Sequence, residues 1–247
     1  MPIFLELYNI TSTELQKLKN CKILWAIPTI SILPNFLVFL VYSINSKYPI
    51  VVWKDYFLLP VFLINLFVGI GLFALLTGYI FSREYQEHMI NNLLTYPIRR
   101  SNFFVGKLIV MLLIIAVTLF SSFFLSILSG VILKHEPLTT AVVFEYLRAY
   151  TLMVIMHFAL VPIVAQLSIS KRNIIAPIIL GICTMVLNII ILNTPLNTIF
   201  PWTIPAIFSP HVGGRTFTNY PLGTVTLLVT FIIGSVLSLN SLKRDVH

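Results

Sequence analysis

Charge is what this chain has least of. Asp, Glu, Lys and Arg make up only 10% of its 247 residues, while 58% are hydrophobic and the mean hydropathy is +0.96. No water-soluble domain of this length could hide so much apolar surface in one core, which excludes a soluble globular enzyme and implies an integral membrane protein. Cysteine is scarce as well, and Cys21 and Cys183 supply neither metal-ligand spacing nor an extracellular disulfide framework. There is no H-E-x-x-H, no G-x-x-x-x-G-K-[ST] and no glycine-flanked serine with a partnered histidine. Metalloprotease, nucleotide-hydrolysing and intramembrane-protease chemistry therefore lack their residues. The net charge of +8 is thinly spread, without a basic cluster interleaved with aromatics, and this argues against a nucleic-acid partner.

Long apolar runs are plentiful. A helix rises about 1.5 Å per residue and the hydrocarbon layer is about 30 Å thick, so a crossing needs roughly 20 apolar residues. Six runs qualify: Ile23 to Tyr42, Phe57 to Phe81, Leu108 to Leu133, Tyr150 to Ile169, Ile174 to Leu192, and Leu222 to Leu239. None contains Asp, Glu, Lys or Arg. An even number of crossings leaves both termini on one side. Lys17, Lys19, Lys22, Arg83, Arg99, Arg100, Lys107, Lys171, Arg172, Lys243 and Arg244 share that side, against Lys47, Lys54, Lys134, Arg148 and Arg215 opposite. Positive charge stays on the side of synthesis, so both termini are expected in the cytoplasm of a cell membrane. No small-residue cleavage site follows the first lysines, and the first crossing is expected to remain in place.

Two polar-flanked segments look membrane-parallel. Before the first crossing, Phe4, Tyr8, Thr11, Leu15 and Leu18 recur at helical spacing with Glu14, Lys17 and Lys19 off the stripe, the pattern of an interfacial helix. Between the second and third crossings, Tyr85, Met89, Ile90, Leu93 and Leu94 share one half of a helix begun at Arg83. Glu84, Glu87, His88, Asn91 and Thr95 occupy the other half. Ser82 is placed to cap it and Pro97 to end it, while Arg99, Arg100 and Lys107 sit where side chains reach headgroups. The two glutamates would then face the cytosol, free to pair with a docked basic partner. The outer loop "NTPLNTIFPWTIPAIFSPHVGGRTFTNYP" is proline-rich yet apolar, which predicts short sheltered re-entrant pieces with Trp202 as an interfacial anchor.

Inside the crossings the ionisable group is His157; with Asn65 and Asn188 it reads as an interhelical hydrogen-bonding residue or a polar point on a substrate path. Ala74 and Gly78 supply a small-xxx-small contact.

The stretch "REYQEHMINNLLTYPIRRSNFFVGK" resembles the cytoplasmic loop of type-2 ABC exporter permeases, whose pattern is an acid, a run to Leu-Leu-Thr, a proline, a basic residue and a lysine opening the third helix. Glu84 and Glu87 match the acidic start, Leu93, Leu94 and Thr95 the middle, Pro97 and Arg100 the turn, and Lys107 the end. The family's usual glycine-threonine pair is replaced by His88 and Met89. The resemblance implies an all-α membrane fold of six transmembrane helices in a single permease domain over 1–247. An interfacial helix would cover 1–22, a cytoplasmic coupling loop 82–107 and an extracellular re-entrant loop 193–221. It further implies that Arg83, Glu84, Glu87, His88, Asn91, Leu94, Thr95, Pro97 and Arg100 contact a separate ABC ATPase. That subunit would hold ATP and magnesium, with no cofactor in this chain. A second permease subunit and membrane lipid complete the expected partners. The apolar, aromatic lumen points to hydrophobic or amphipathic cargo, such as the peptide antibiotics handled by bacitracin- and lantibiotic-resistance permeases. Asn65, His157 and Asn188 would line its path. The alternatives are a non-transporting immunity or scaffold protein that sequesters a peptide, and an intramembrane enzyme built on His157.

Overall fold

The computed structural model describes residues 3–19, 21–45, 50–87, 99–208 and 219–244. Helix α1 (Ile3–Leu18) leads through a 3-10 turn (Lys22–Trp25) into α2 (Ala26–Ile44). Then α3 (Trp53–Leu63), a π-helical segment (Ile64–Val68) and α4 (Gly69–Gln86) run on as one rod. The long helices α5 (Arg100–Ile132) and α6 (Thr140–Lys171) come next, followed by the shorter α7 (Ile175–Ile191). Two 3-10 turns (Pro195–Thr198 and Pro201–Thr203) and the single-turn α8 (Ile204–Ile207) precede α9 (Tyr220–Arg244). Among the described residues there is no strand, and Val51 and His135 form one isolated bridge.

Five of these stretches are long and apolar enough to cross a membrane: Lys22–Ile44, Trp53–Gln86, Arg100–Ile132, Thr140–Lys171 and Tyr220–Arg244. The apolar α7 has 17 residues and falls just below that length. The chain is an integral membrane protein. At 33 residues α5 is about 50 Å long, well beyond the hydrocarbon thickness, so one end or both must emerge into the headgroup region.

Two sequence expectations need correction here. The second crossing does not stop at Phe81 but continues through Gln86, because Arg83 and Glu84 find partners inside the protein and leave the helix no reason to turn. Ser82 is consequently not a cap; it is buried within α4 and its hydroxyl has no hydrogen-bond partner among the described residues. Likewise α1 is helical as expected, but the face it buries is Ile10, Glu14 and Leu18, while Tyr8 and Leu15 point outward. A Cβ on Gly106 would stand 2.5 Å from Ile10 Cγ2, so only glycine lets α5 come this near α1.

Lipid tails are as apolar as Leu, so helix association here rests on shape and interhelical hydrogen bonds rather than on exclusion of water. Shape is supplied by small residues. A Cβ on Gly234 would lie 2.5 Å from the backbone nitrogen of Ile163, and Ser238 below it donates to Pro162 C=O at 3.1 Å, which seats α9 directly on α6. The Ala74 and Gly78 contact is formed against α7: a Cβ on Gly181 would meet Ala74 Cβ at 2.8 Å, and one on Gly78 would meet Pro177 Cβ at 2.9 Å. Hydrogen bonds join α2 to α5, where Ser31 donates to Thr118 C=O at 2.9 Å, Asn35 Nδ2 to Ser122 Oγ at 2.8 Å, and Ser126 Oγ to Asn35 Oδ1 at 2.5 Å.

At the end opposite Glu84, the loops before α3 and after α5 are knitted together. Val51 N–H donates to Lys134 C=O at 2.8 Å, and Trp53 Nε1 donates to Glu136 C=O at 2.8 Å. Beneath them Phe57 stacks on Tyr146 at 4.7 Å and on Phe123 at 5.7 Å. The pieces after α7 are sheltered as anticipated, with Ile204, Ala206 and Ile207 buried. Trp202 differs from its expected anchoring role: it is half-buried and packs toward Met156 and Leu160.

Candidate functional site: a buried charge joint

Four charged side chains from three elements converge where α4 ends and α5 begins. Lys107 is 1% exposed; its ammonium donates to a carboxylate oxygen of Glu84 and to the Ile80 C=O, and lies 3.7 Å from Glu14 Oε2. Lys17 Nζ completes the set at 2.5 Å from Glu14 Oε1 and 3.5 Å from Glu84 Oε1. The Phe103 and Phe81 rings flank the Lys107 ammonium at 4.8 and 5.6 Å and shield it from water. Two acids and two bases thus alternate, which leaves no net charge to bury. Burial lowers the Lys17 pKa, but the hydrogen bond and attraction of Glu14, then of Glu84, outweigh it and hold the group above the ordinary lysine value.

Around this joint, cations close the ends of the helices. Arg83 Nη1 donates to Lys17 C=O at 2.8 Å, one of the last carbonyls of α1, and Arg83 Nε donates to Glu87 Oε1 at 2.8 Å. Arg100 donates to Leu242 C=O in the last turn of α9. The Arg172 guanidinium lies 5.8 Å from the centre of the Tyr85 ring. The ends of α1, α4, α6 and α9 and the start of α5 are therefore tied to one another around the segment that joins α4 to α5.

Of the residues assigned to ATPase contact from the sequence, Arg83, Glu84, Glu87 and Arg100 lie in this frame. His88, Asn91, Leu94, Thr95 and Pro97 fall outside the described residues. Glu84 does not face outward: it is buried, because its partners Lys107 and Lys17 approach from α5 and α1. Lys107, placed at headgroup level from the sequence, is buried with it. Glu87 does remain exposed. Glu14 and Lys17 were not singled out from the sequence as partners of the loop, although an acid and a base three residues apart, just before an apolar run, were available as a signal.

The proposed path residues also come together, farther along the same rod. Asn65 sits in the π-helical segment; its Oδ1 is 3.0 Å from His157 Nε2, and its backbone C=O accepts from Asn188 Nδ2 at 3.2 Å. At this π turn a side-chain amide from α7 thus bonds the backbone of the second rod. His157 and Trp202 border a cavity of about 20 Å³, roomy enough for one water at most. The His157 ring packs edge-on against Phe73 at 5.1 Å, and no serine or cysteine nucleophile is paired with it among the described residues. No cluster of metal-ligating side chains occurs among the described residues either.

A family model described as ABC-2 family transporter protein matches residues 10–190. The chain belongs to this family. It is an ABC transporter permease, a membrane subunit of a class that is typically non-enzymatic and whose members work with an ABC ATPase, usually as permease dimers. It is also similar to the bacitracin transport permease protein BCRB of Bacillus licheniformis, at 28% identity over 187 residues, which cover 74% of this chain and 88% of that protein. The matched family region begins within α1 and ends within α7, so it includes the whole charge joint.

Proposed function

We propose that this permease exports a hydrophobic or amphipathic peptide, of the kind the name of its Bacillus relative describes, using ATP hydrolysed by a separate subunit. Nucleotide and magnesium would be held by that subunit and not by this chain. In this reading α7 is a sixth crossing, both termini are cytoplasmic, and the whole chain is one permease domain that pairs with a second permease subunit. The segment from 82 to 107 meets the ATPase, with Glu87 offered outward and Glu84 turned inward.

The observation that carries the reading is the ion pair between Glu84 and Lys107. It clamps the last turn of α4 to the start of α5 on either side of the coupling segment, and through Glu14 and Lys17 adds α1. A push on that segment is then delivered to the helices together rather than absorbed by one loose end. In this reading Asn65, His157 and Asn188, buried and bonded to one another here, would have to part before a passing amphipath could meet them.

The test is reconstitution with the partner ATPase and a peptide antibiotic as cargo. The neutral double variant Glu84→Gln/Lys107→Met is expected to keep ATPase association while transport falls at least tenfold. Undiminished transport by this variant would remove the joint from the mechanism. Protection against the peptide that persists beside a hydrolysis-dead ATPase would replace export with sequestration.

A further inference from the structure

We propose that the cleft at the junction of α1 and α2 is a binding site for the phosphate headgroup of an anionic membrane phospholipid. The cleft is about 400 Å³ in volume and is lined by Lys19, Cys21, Lys22, Leu24, Trp25 and Pro28. Lys19 and Lys22 form no ion pair among the described residues. The nearby acids are engaged elsewhere, Glu14 and Glu84 with Lys17 and Lys107, and Glu87 with Arg83. No carboxylate lines the cleft. Behind it Arg83 Nη1 reaches to 3.5 Å from Cys21 Sγ, its own charge answered by Glu87, which leaves Lys19 and Lys22 as the cleft's unpaired cations among the described residues. Positive charge without counter-charge at one spot recruits an anion.

The remaining walls decide which anion. Leu24 and Pro28 supply an apolar surface, and Trp25 is 75% exposed in the turn that opens the first long apolar helix. A tryptophan left open at that level suits the boundary between headgroups and acyl chains, where its ring is wetted at one edge and greased at the other. A phospholipid uses all three features at once: its phosphate between the ammonium groups, its glycerol beside Trp25, its chain along Leu24 and Pro28. A soluble phosphate ion would use only the lysines. The site is independent of the transport reading, and either can fail without the other.

Trp25 is its own reporter. The purified chain is reconstituted in vesicles of zwitterionic phosphatidylcholine containing either brominated phosphatidylglycerol or brominated phosphatidylcholine, and tryptophan quenching is titrated. The Trp25→Phe variant isolates its signal from those of Trp53 and Trp202. Brominated phosphatidylglycerol is expected to be preferred, by about fivefold for each lysine near the surface. The Lys19→Gln/Lys22→Gln variant loses the preference while keeping wild-type quenching by brominated phosphatidylcholine, and Lys19→Arg/Lys22→Arg retains it. Equal quenching by the two lipids, or a preference unchanged in the Gln variant, overturns the proposal. So does a preference abolished by millimolar inorganic phosphate at an ionic strength matched with chloride, which would assign the cleft to a soluble anion.

Discussion

Lys107 of α5 and Glu84 of α4 meet with their side chains only 1% and 5% exposed, a charged contact from which solvent is shut out. Removing one member strands the other without water to receive it.

For that reason Glu84→Gln and Lys107→Met are each expected to destabilise the protein by about 3 kcal/mol, the low end for breaking a buried pair, because Glu14 and Lys17 remain as second partners. The double variant should recover most of this loss. Lys17→Met, at a side chain 28% exposed, should cost only about 1 kcal/mol. Thermal unfolding in detergent measures all four, and single variants as stable as the double would contradict the coupling.

The two glutamates of the coupling segment should separate cleanly. Glu87 is exposed and, among the described residues, is paired with Arg83 one turn away, an arrangement worth about 0.3–0.5 kcal/mol. Glu87→Ala is expected to leave unfolding unchanged while weakening ATPase association. Glu84→Ala should lower the unfolding temperature and leave ATPase association in place. Co-purification with the ATPase, read beside the melting curves, distinguishes them.

Gly234→Ala should fail where Gly71→Ala succeeds. At Gly234 the new methyl meets backbone atoms of Pro162 and Ile163 at 2.5 to 2.9 Å, which cannot give way without moving α9 off α6. At Gly71 the nearest atom is Met185 Sδ at 3.0 Å, the far part of a flexible side chain. Overpacking of the first kind costs about 1–3 kcal/mol. Melting temperatures of the two variants, measured side by side, check the order.

In the polar cluster, Asn188→Leu is expected to be mild, below about 1 kcal/mol, since interhelical hydrogen bonds in membranes average about 0.6 kcal/mol. The change also removes Asn188 Oδ1, which is buried without a hydrogen-bond partner among the described residues. Asn65→Leu should cost more, because it leaves His157 Nε2 facing a hydrocarbon side chain. The reverse order of stabilities would mean that the carbonyl of Asn65 matters more than its amide.

The apolar runs were legible because a crossing needs nothing more than length and greasiness, although the helices outrun them: α5 begins at Arg100 and not Leu108, and α6 at Thr140 and not Tyr150, because polar residues there extend the helices past the apolar stretch. The pairing of Ala74 and Gly78 with a neighbour was legible for a similar reason, since small residues four apart leave room for one. Glu84 was misread because periodicity reports which face a residue occupies and not what waits opposite. Its neutralising partners lie 23 and 67 positions away along the chain. The ladder of Thr118, Ser122 and Ser126 was missed although its four-residue spacing in an apolar helix marks one polar stripe, with Ser31 and Asn35 repeating the interval on α2. The π turn has no comparable signature in the sequence: Ile64–Val68 reads as one more stretch of an apolar run interrupted by Asn65.

That turn leaves the second rod with slack. A π turn holds one amino acid more than the α-helical track needs, so the rod keeps a spare link between the half that faces the aromatic cap and the half that ends in Glu84. Shortening the chain by one residue there would straighten the spiral with both halves still in register. The same excision elsewhere in the rod would swing every side chain beyond it about a quarter-turn away from its neighbours.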